Sequence, residues 1–125
     1  MEKIKVLVVD DEAAFGRLIK INLEATGEFA VTSITQGILG LSTAEQIKPD
    51  IIFLDIMMPD KSGDEVYGEL KEQEATKNIP VVFLTAMATK EDEESSGGMI
   101  AGRPILAKPV STERIIECIK KYVSR

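Results

Sequence analysis

Four short apolar runs of this sequence each end in side chains that could take part in chemistry. Asp10 and Asp11 follow the first run, Asp55 the second, Thr85 the third and Lys108 the fourth; the runs are Val6–Val9, Ile51–Leu54, Val81–Leu84 and Ile105–Ala107. Parallel strands that are buried on both faces have this continuous apolar pattern. Because ligands bind at the carboxyl ends of such strands, we expect the acids, the hydroxyl and the amine to share one site.

Carboxylates that lie this close together repel one another. Two unit charges about 4 Å apart cost roughly 4 kcal/mol at an effective dielectric constant near 20. Either one acid stays protonated or a cation lies among Asp10, Asp11 and Asp55. An all-oxygen site favours Mg²⁺, which binds one or two carboxylates, water and phosphate oxygens.

With Mg²⁺ in place, Asp55 is a feasible nucleophile toward a phosphoryl donor and would form an aspartyl phosphate. Lys108 would supply a fixed positive charge to one phosphoryl oxygen, and Thr85 a hydroxyl to another. Catalysis of this kind is mainly positioning and charge stabilisation. The dipeptide Lys108-Pro109 leaves open whether the bond is cis, which would swing the amine over the rim, or trans.

The elements that position these residues follow from hydrophobic periodicity and capping residues. A capping box, Ser62-Gly63-Asp64-Glu65, opens the third helix; Ser111 or Thr112 caps the last one. The predicted elements are strands Ile4–Val9, Phe29–Ile34, Ile51–Leu54, Pro80–Leu84 and Ile105–Ala107, and helices Ala13–Glu24, Leu39–Lys48, Ser62 to about Gln73, Lys90 onward after a Thr89 cap, and Ser111 to about Tyr122.

This order is five repeats of strand and helix within a single domain, residues 1–125. Right-handed crossovers then give an α/β, doubly wound, five-stranded parallel sheet of order 2-1-3-4-5, the flavodoxin-like arrangement. In that order strands one and three are neighbours. Their ends carry the three acids.

Composition excludes several classes of function. The net charge of −6 argues against direct binding of nucleic acid, and the apolar runs are too short for membrane insertion. There is no histidine, so a phosphoryl group would come from another molecule. The single cysteine, Cys118, cannot form an internal disulfide; we interpret it as a helix packing residue in a cytoplasmic protein.

Four short motifs stand in order along the chain: Val8-Val9-Asp10-Asp11, Asp55-Ile56-Met57-Met58-Pro59 with Gly63, Leu84-Thr85-Ala86, and Ala101-Gly102 running to Lys108-Pro109. In these motifs, and over nearly its whole length, the chain resembles a response regulator receiver domain of two-component signal transduction, the CheY-like family. The resemblance implies phosphorylation of Asp55, Mg²⁺ held by Asp11, Asp55 and the Met57 carbonyl with Asp10 acting through a water, and phosphoryl contacts from Thr85 and Lys108.

The sequence departs from the family pattern in three places. Ile105 stands where receivers often carry the Tyr or Phe that moves with the threonine. Met57 and Met87 stand where polar residues often guide the hydrolytic water; they are either tolerated surface residues or an apolar cover that lengthens the phosphoryl lifetime. The acidic run Glu91–Glu94 is followed by Ser95-Ser96-Gly97-Gly98. That run is either a solvated face or a segment that orders on phosphorylation or partner binding.

The resemblance also implies partners. The donor would be a histidine kinase or a phosphotransfer protein, and a downstream effector would bind the face made by the fourth helix, fifth strand and last helix. Homodimerisation through that face is possible. There is no effector region after Val123, so the output is expected in another molecule or in a longer protein.

Two other classes of function compete with a phosphorylation switch. One is a constitutive binding module of the same fold that ignores phosphate. The other is a turnover enzyme, and the residues argue against it. Asp10-Asp11 lacks the spacing of haloacid-type phosphatases, and Asp10-Asp11-Glu12 would repel the phosphate of a flavin.

Overall fold

Strands and helices alternate through the first four strands, as the apolar runs predict. The computed structural model describes residues 2–86, 99–100 and 103–123. The described elements are β1 (Ile4–Val9), α1 (Ala13–Glu24), β2 (Phe29–Ile34), a 3-10 turn (Gly37–Leu39), α2 (Gly40–Ile47), β3 (Ile51–Asp55), α3 (Gly63–Glu72), β4 (Val81–Thr85), β5 (Met99–Ile100), β6 (Arg103–Ala107) and α4 (Thr112–Tyr122).

The strands form one sheet of order β2-β1-β3-β4-β6-β5. Its first five members pair in parallel, which confirms the predicted order 2-1-3-4-5, since β6 is the predicted fifth strand. The two-residue strand β5 is antiparallel to β6 at the edge of the sheet and was not predicted. Two residues are too few for a periodic apolar pattern, so the sequence carries no signal for β5.

Side chains alternate between the two faces of the sheet and form a core on each. Val6 and Val8 lie in the core that includes Ile19 and Leu23 of α1 and Ile115 of α4. Their neighbours Leu7 and Val9 lie in the opposite core; its helical members are Ala44, Val66 and Leu70 of α2 and α3. Each fully buried aliphatic side chain contributes about 1.5–3 kcal/mol relative to exposure.

Cys118 lies buried in the first core, which confirms its predicted packing role. Burial raises the pKa of its thiol to about 11, so the reactive thiolate is disfavoured.

The start of α3 lies directly against the backbone of Asp55. Ser62 Oγ accepts a hydrogen bond from the Glu65 N–H and also lies 3.3 Å from Glu65 Oε1, so the predicted capping residue is confirmed. A Cβ at Gly63 would come within 2.4 Å of the Asp55 carbonyl oxygen. Only glycine therefore allows α3 to begin this close to the strand end that carries Asp55.

Several predictions fall on residues that the structure does not describe. These are the fourth helix from Lys90 with its Thr89 cap, the run Glu91–Glu94 with the following Ser95–Gly98, Met87, and Ala101-Gly102. Helix α2 is shorter than predicted because a 3-10 turn precedes it and Lys48, with a φ of 49°, ends it. Among the described residues, no helix has the length and apolar character needed to cross a membrane.

Candidate functional site at the carboxyl edge of the sheet

The parallel register brings the predicted site residues to one edge. Val9 pairs with Leu54, so Asp10 and Asp55 follow neighbouring positions on β1 and β3. Asp55 in turn pairs with Leu84, next to Thr85. Thr85 pairs with Ala107, and the Lys108 N–H donates to the Thr85 carbonyl over 2.9 Å. The five side chains thus follow four adjacent strands, as expected.

The three acids form a cluster at this edge. Carboxylate oxygens of Asp10, Asp11 and Asp55 lie within 4.8 Å of one another, and Asp10 and Asp55 are buried while Asp11 is exposed. Asp10 Oδ1 accepts the Glu12 N–H over 2.9 Å, and Asp55 Oδ1 accepts the Met57 N–H over 3.3 Å. Asp10 Oδ2 is buried without a hydrogen bond.

Lys108 is the cation closest to this cluster in the described part of the chain. Its Nζ lies 2.6 Å from Asp10 Oδ2, 2.8 Å from Glu12 Oε1 and 3.8 Å from Asp55 Oδ2, and its side chain is only 10% exposed. Lys108 and Asp10 therefore form a close ion pair. The peptide bond between Lys108 and Pro109 is cis.

The electrostatics of the cluster distinguish Asp55. Burial, the charge of Asp10 and a hydrogen bond with Asp11 raise the pKa of Asp55 from 3.8 to about 7, against the opposing effects of Lys108 and the Met57 N–H. Protonation of one acid is one of the two ways to relieve the repulsion among crowded carboxylates; a bound cation is the other. Without a bound cation, the raised pKa keeps the proton on Asp55 at mildly acidic pH.

The surroundings of Lys108 favour its charged form, whereas those of Asp55 favour its neutral form. Burial by itself lowers the pKa of this ammonium group, but contacts with the carboxylates of Asp10 and Glu12 and the charge of Asp55 outweigh it. The pKa of Lys108 is raised as a result, and the side chain stays charged at neutral pH.

The donor set fits a magnesium ion. It consists of carboxylate oxygens of Asp10, Asp11 and Asp55 that lie within 4.8 Å of one another. The single ammonium group of Lys108, 2.6 Å from Asp10 Oδ2 and 3.8 Å from Asp55 Oδ2, cannot balance the charge of three carboxylates. Hard cations prefer oxygen ligands of this kind, so the residues present match the predicted Mg²⁺ site.

Two contacts of the site were not predicted. Glu12 binds Lys108 directly, and Lys108 Nζ also lies 4.9 Å from the centre of the Phe15 ring. The sequence signal that could have predicted the contact of Glu12 with Lys108 is its position as a third acid directly after Asp10-Asp11.

Met57, for which the sequence left open a surface residue or an apolar cover, has a side chain that is 61% exposed.

Comparison with known protein families identifies the chain as a receiver domain. Residues 6–120 match the family described as the response regulator receiver domain, and the chain belongs to that family. The chain is similar to the polar-differentiation response regulator DivK of Brucella ovis, with 38% identity over 120 residues that cover 94% of each protein.

Solved structures agree with this assignment. The receiver domain of the sensor histidine kinase PA1611 from Pseudomonas aeruginosa, determined with a magnesium ion coordinated in its active site cleft, has a TM-score of 0.79 and 25% identity, and the match covers 97% of this chain and 98% of that one. The chemotaxis protein CheY4 of Vibrio cholerae has a TM-score of 0.81 and 24% identity, over 98% and 100% of the two chains, and supports the fold alone.

Proposed function

We propose that Asp55 accepts a phosphoryl group from a histidine kinase or phosphotransfer protein and that this changes the binding of an effector. The observation that carries the proposal is the buried Asp55 carboxylate, which lies in a cluster of acids with the Lys108 ammonium 3.8 Å away. A buried carboxyl group with a strongly perturbed pKa in such a cluster is a functional-site candidate.

Asp11, Asp55 and the Met57 carbonyl would hold Mg²⁺ directly, and Asp10 would hold it through a water. When bound, Mg²⁺ supplies positive charge that offsets both the acids and the phosphoryl oxygens. The magnesium ion in the receiver domain of PA1611 supports this assignment.

The residues of the chain perform the remaining steps. An Asp55 carboxylate oxygen attacks phosphorus, and the bond between phosphorus and the donor nitrogen breaks as the new bond to oxygen forms. The Lys108 ammonium and the Thr85 hydroxyl then donate to phosphoryl oxygens. Because the chain contains no histidine, the phosphorylated histidine belongs to the partner.

The effector would respond to a shift between two conformations. In the family, the responding face includes the helix predicted from Lys90, which lies outside the described residues, and the strand that contains Ile105. Ile105 is buried in the core with Phe83 and has no aromatic ring to move. This observation favours a second candidate function, a receiver fold that binds its partner without phosphorylation.

Phosphorylation with a small-molecule donor distinguishes the two candidates. The purified protein is incubated with Mg²⁺ and acetyl phosphate or phosphoramidate, and its intact mass is measured. We expect one phosphoryl adduct, lost in Asp55→Asn and retained in Asp50→Asn, a control at the opposite edge of the sheet. Absence of an adduct would overturn the proposal in favour of the constitutive module. An adduct that survives Asp55→Asn would overturn the assignment of Asp55 as the acceptor.

A further inference from the structure

Lys108 has a closer partner than the acceptor it would serve. Its Nζ lies 2.8 Å from Glu12 Oε1, within hydrogen-bond distance, but 3.8 Å from Asp55 Oδ2. A separation of 3.8 Å is beyond a hydrogen bond. In the unmodified protein the ammonium group therefore contacts Asp10, at 2.6 Å, and Glu12 more closely than it contacts Asp55.

The backbone of Glu12 is fixed where β1 meets α1. Its N–H donates to Asp10 Oδ1, and its carbonyl accepts the N–H groups of Phe15 and Gly16. Its side chain reaches across to Lys108, and the Phe15 ring lies on another side of the same ammonium group. The first turn of α1 thus provides a defined position for the Lys108 amine.

The two close partners of Lys108 differ in burial. The Asp10 side chain is fully buried, whereas the Glu12 side chain is 64% exposed. If Lys108 moves toward a phosphoryl group on Asp55, the exposed Glu12 carboxylate regains water, whereas the buried Asp10 carboxylate would be left without its cation. The contact with Glu12 is the one expected to open.

We propose that Glu12 is a positioning residue that holds Lys108 away from Asp55 and competes with the phosphoryl group for its ammonium. The inference rests on the proposed phosphorylation of Asp55. It predicts that release of Lys108 from Glu12 speeds phosphorylation and slows loss of the phosphoryl group.

Two variants separate this contact from a general effect of charge. Glu12→Gln removes the charge, and Glu12→Asp keeps the charge but shortens the side chain so that it no longer reaches Lys108. Glu45→Gln removes an exposed charge on α2 and is the matched control. We expect phosphorylation to become about fivefold faster in both Glu12 variants, which corresponds to about 1 kcal/mol, and to stay unchanged in Glu45→Gln.

The rates are measured with phosphoramidate and with acetyl phosphate, which differ in charge. Release of Lys108 predicts the same gain with both donors. If Glu12 acts only by repelling an anionic donor, Glu12→Asp will behave like the wild-type chain, and the gain in Glu12→Gln will depend on the donor. That result would overturn the inference.

A second readout needs no phosphoryl transfer. Acetic anhydride labelling of Lys108 is compared with that of Lys120 by peptide mass spectrometry, and we expect the ratio to rise in both Glu12 variants. Unchanged labelling or unchanged rates in a chain that still accepts the phosphoryl group would overturn this inference alone. A wild-type chain that accepts no phosphoryl group would overturn the proposed function, and this inference with it.

Discussion

Charged residues at the carboxyl edge of the sheet differ in burial and in binding partners from those at the amino edge. At the carboxyl edge, the nearly buried Lys108 ammonium group lies 2.6 Å from the fully buried Asp10 carboxylate. At the amino edge, the exposed Lys5 donates its backbone N–H to Asp50 Oδ2 over 2.8 Å and its Nζ to the Ile47 carbonyl over 3.1 Å. The Asp50 N–H returns a hydrogen bond to the Lys5 carbonyl.

This difference in burial indicates that the charged residues of the amino edge have a structural role and those of the carboxyl edge a functional one. The polar groups of the amino edge are paired with backbone partners and remain near water, which stabilises the loop before β3 at little cost. Buried charges stabilise a fold poorly, since desolvation offsets their attraction. We infer that the carboxyl edge keeps its buried acids for chemistry, and the following predictions test this contrast.

Loss of a lysine gives the largest expected difference between the edges. Lys108→Met leaves Asp10 and Asp55 buried without their cation, and we expect it to lower the free energy of unfolding by about 3 kcal/mol. Lys5→Met removes an exposed contact and should cost less than about 1 kcal/mol. Urea denaturation at neutral pH without Mg²⁺ measures both. Equal losses would contradict the contrast.

Magnesium should stabilise the carboxyl edge alone. At a hundredfold excess over its dissociation constant, an ion that binds only the folded chain adds about 2.7 kcal/mol. We expect the melting temperature to rise on addition of Mg²⁺ and to return with a chelator. Asp11→Asn should abolish the rise, and Asp50→Asn should preserve it. A rise that persists in Asp11→Asn would place the ion elsewhere.

The pH dependence of stability should depend on Asp55. Its pKa is about 7 in the folded chain and 3.8 ordinarily, so between these values the folded state binds more protons than the unfolded state. The stability of the metal-free protein should therefore fall as pH rises from about 4 to 7, by on the order of 1–2 kcal/mol. Asp55→Asn should remove that part of the slope in denaturation curves, and a slope that persists would assign it to other groups.

The smallest expected effect is at the amino edge. Asp50→Ala leaves the Lys5 N–H without its side-chain acceptor and should cost about 1 kcal/mol. Chemical denaturation measures the loss, and the phosphorylation rate with phosphoramidate checks the site. Because Asp50 precedes β3 and Asp55 ends it, the two residues lie at opposite edges of the sheet and the rate should stay unchanged; a slower rate would show that the two edges are coupled.

Much of the fold was predictable because its signals are local. The bounds of β1, α1 and β2 agree with prediction, since each apolar run is bounded by polar or glycine residues. The sequence predicted Ser111 or Thr112 as the cap of α4, and Ser111 is the capping residue. Strand β5 could not be predicted, and Leu18, at helical spacing with the core residues of α1, is exposed. A spacing pattern does not give the exact angle at which a helix packs.

The features of the site also divide into those with local sequence signals and those set by tertiary packing. The sequence alone determined which residue types follow each strand and in what order, because burial and strand period are properties of neighbouring residues. Only the tertiary structure decided that the pKa of Asp55 is raised to about 7 and that Lys108 contacts Glu12 and Asp10. Those outcomes depend on distances between residues far apart in the chain and on how deeply each is buried, and the pairing of parallel strands sets both.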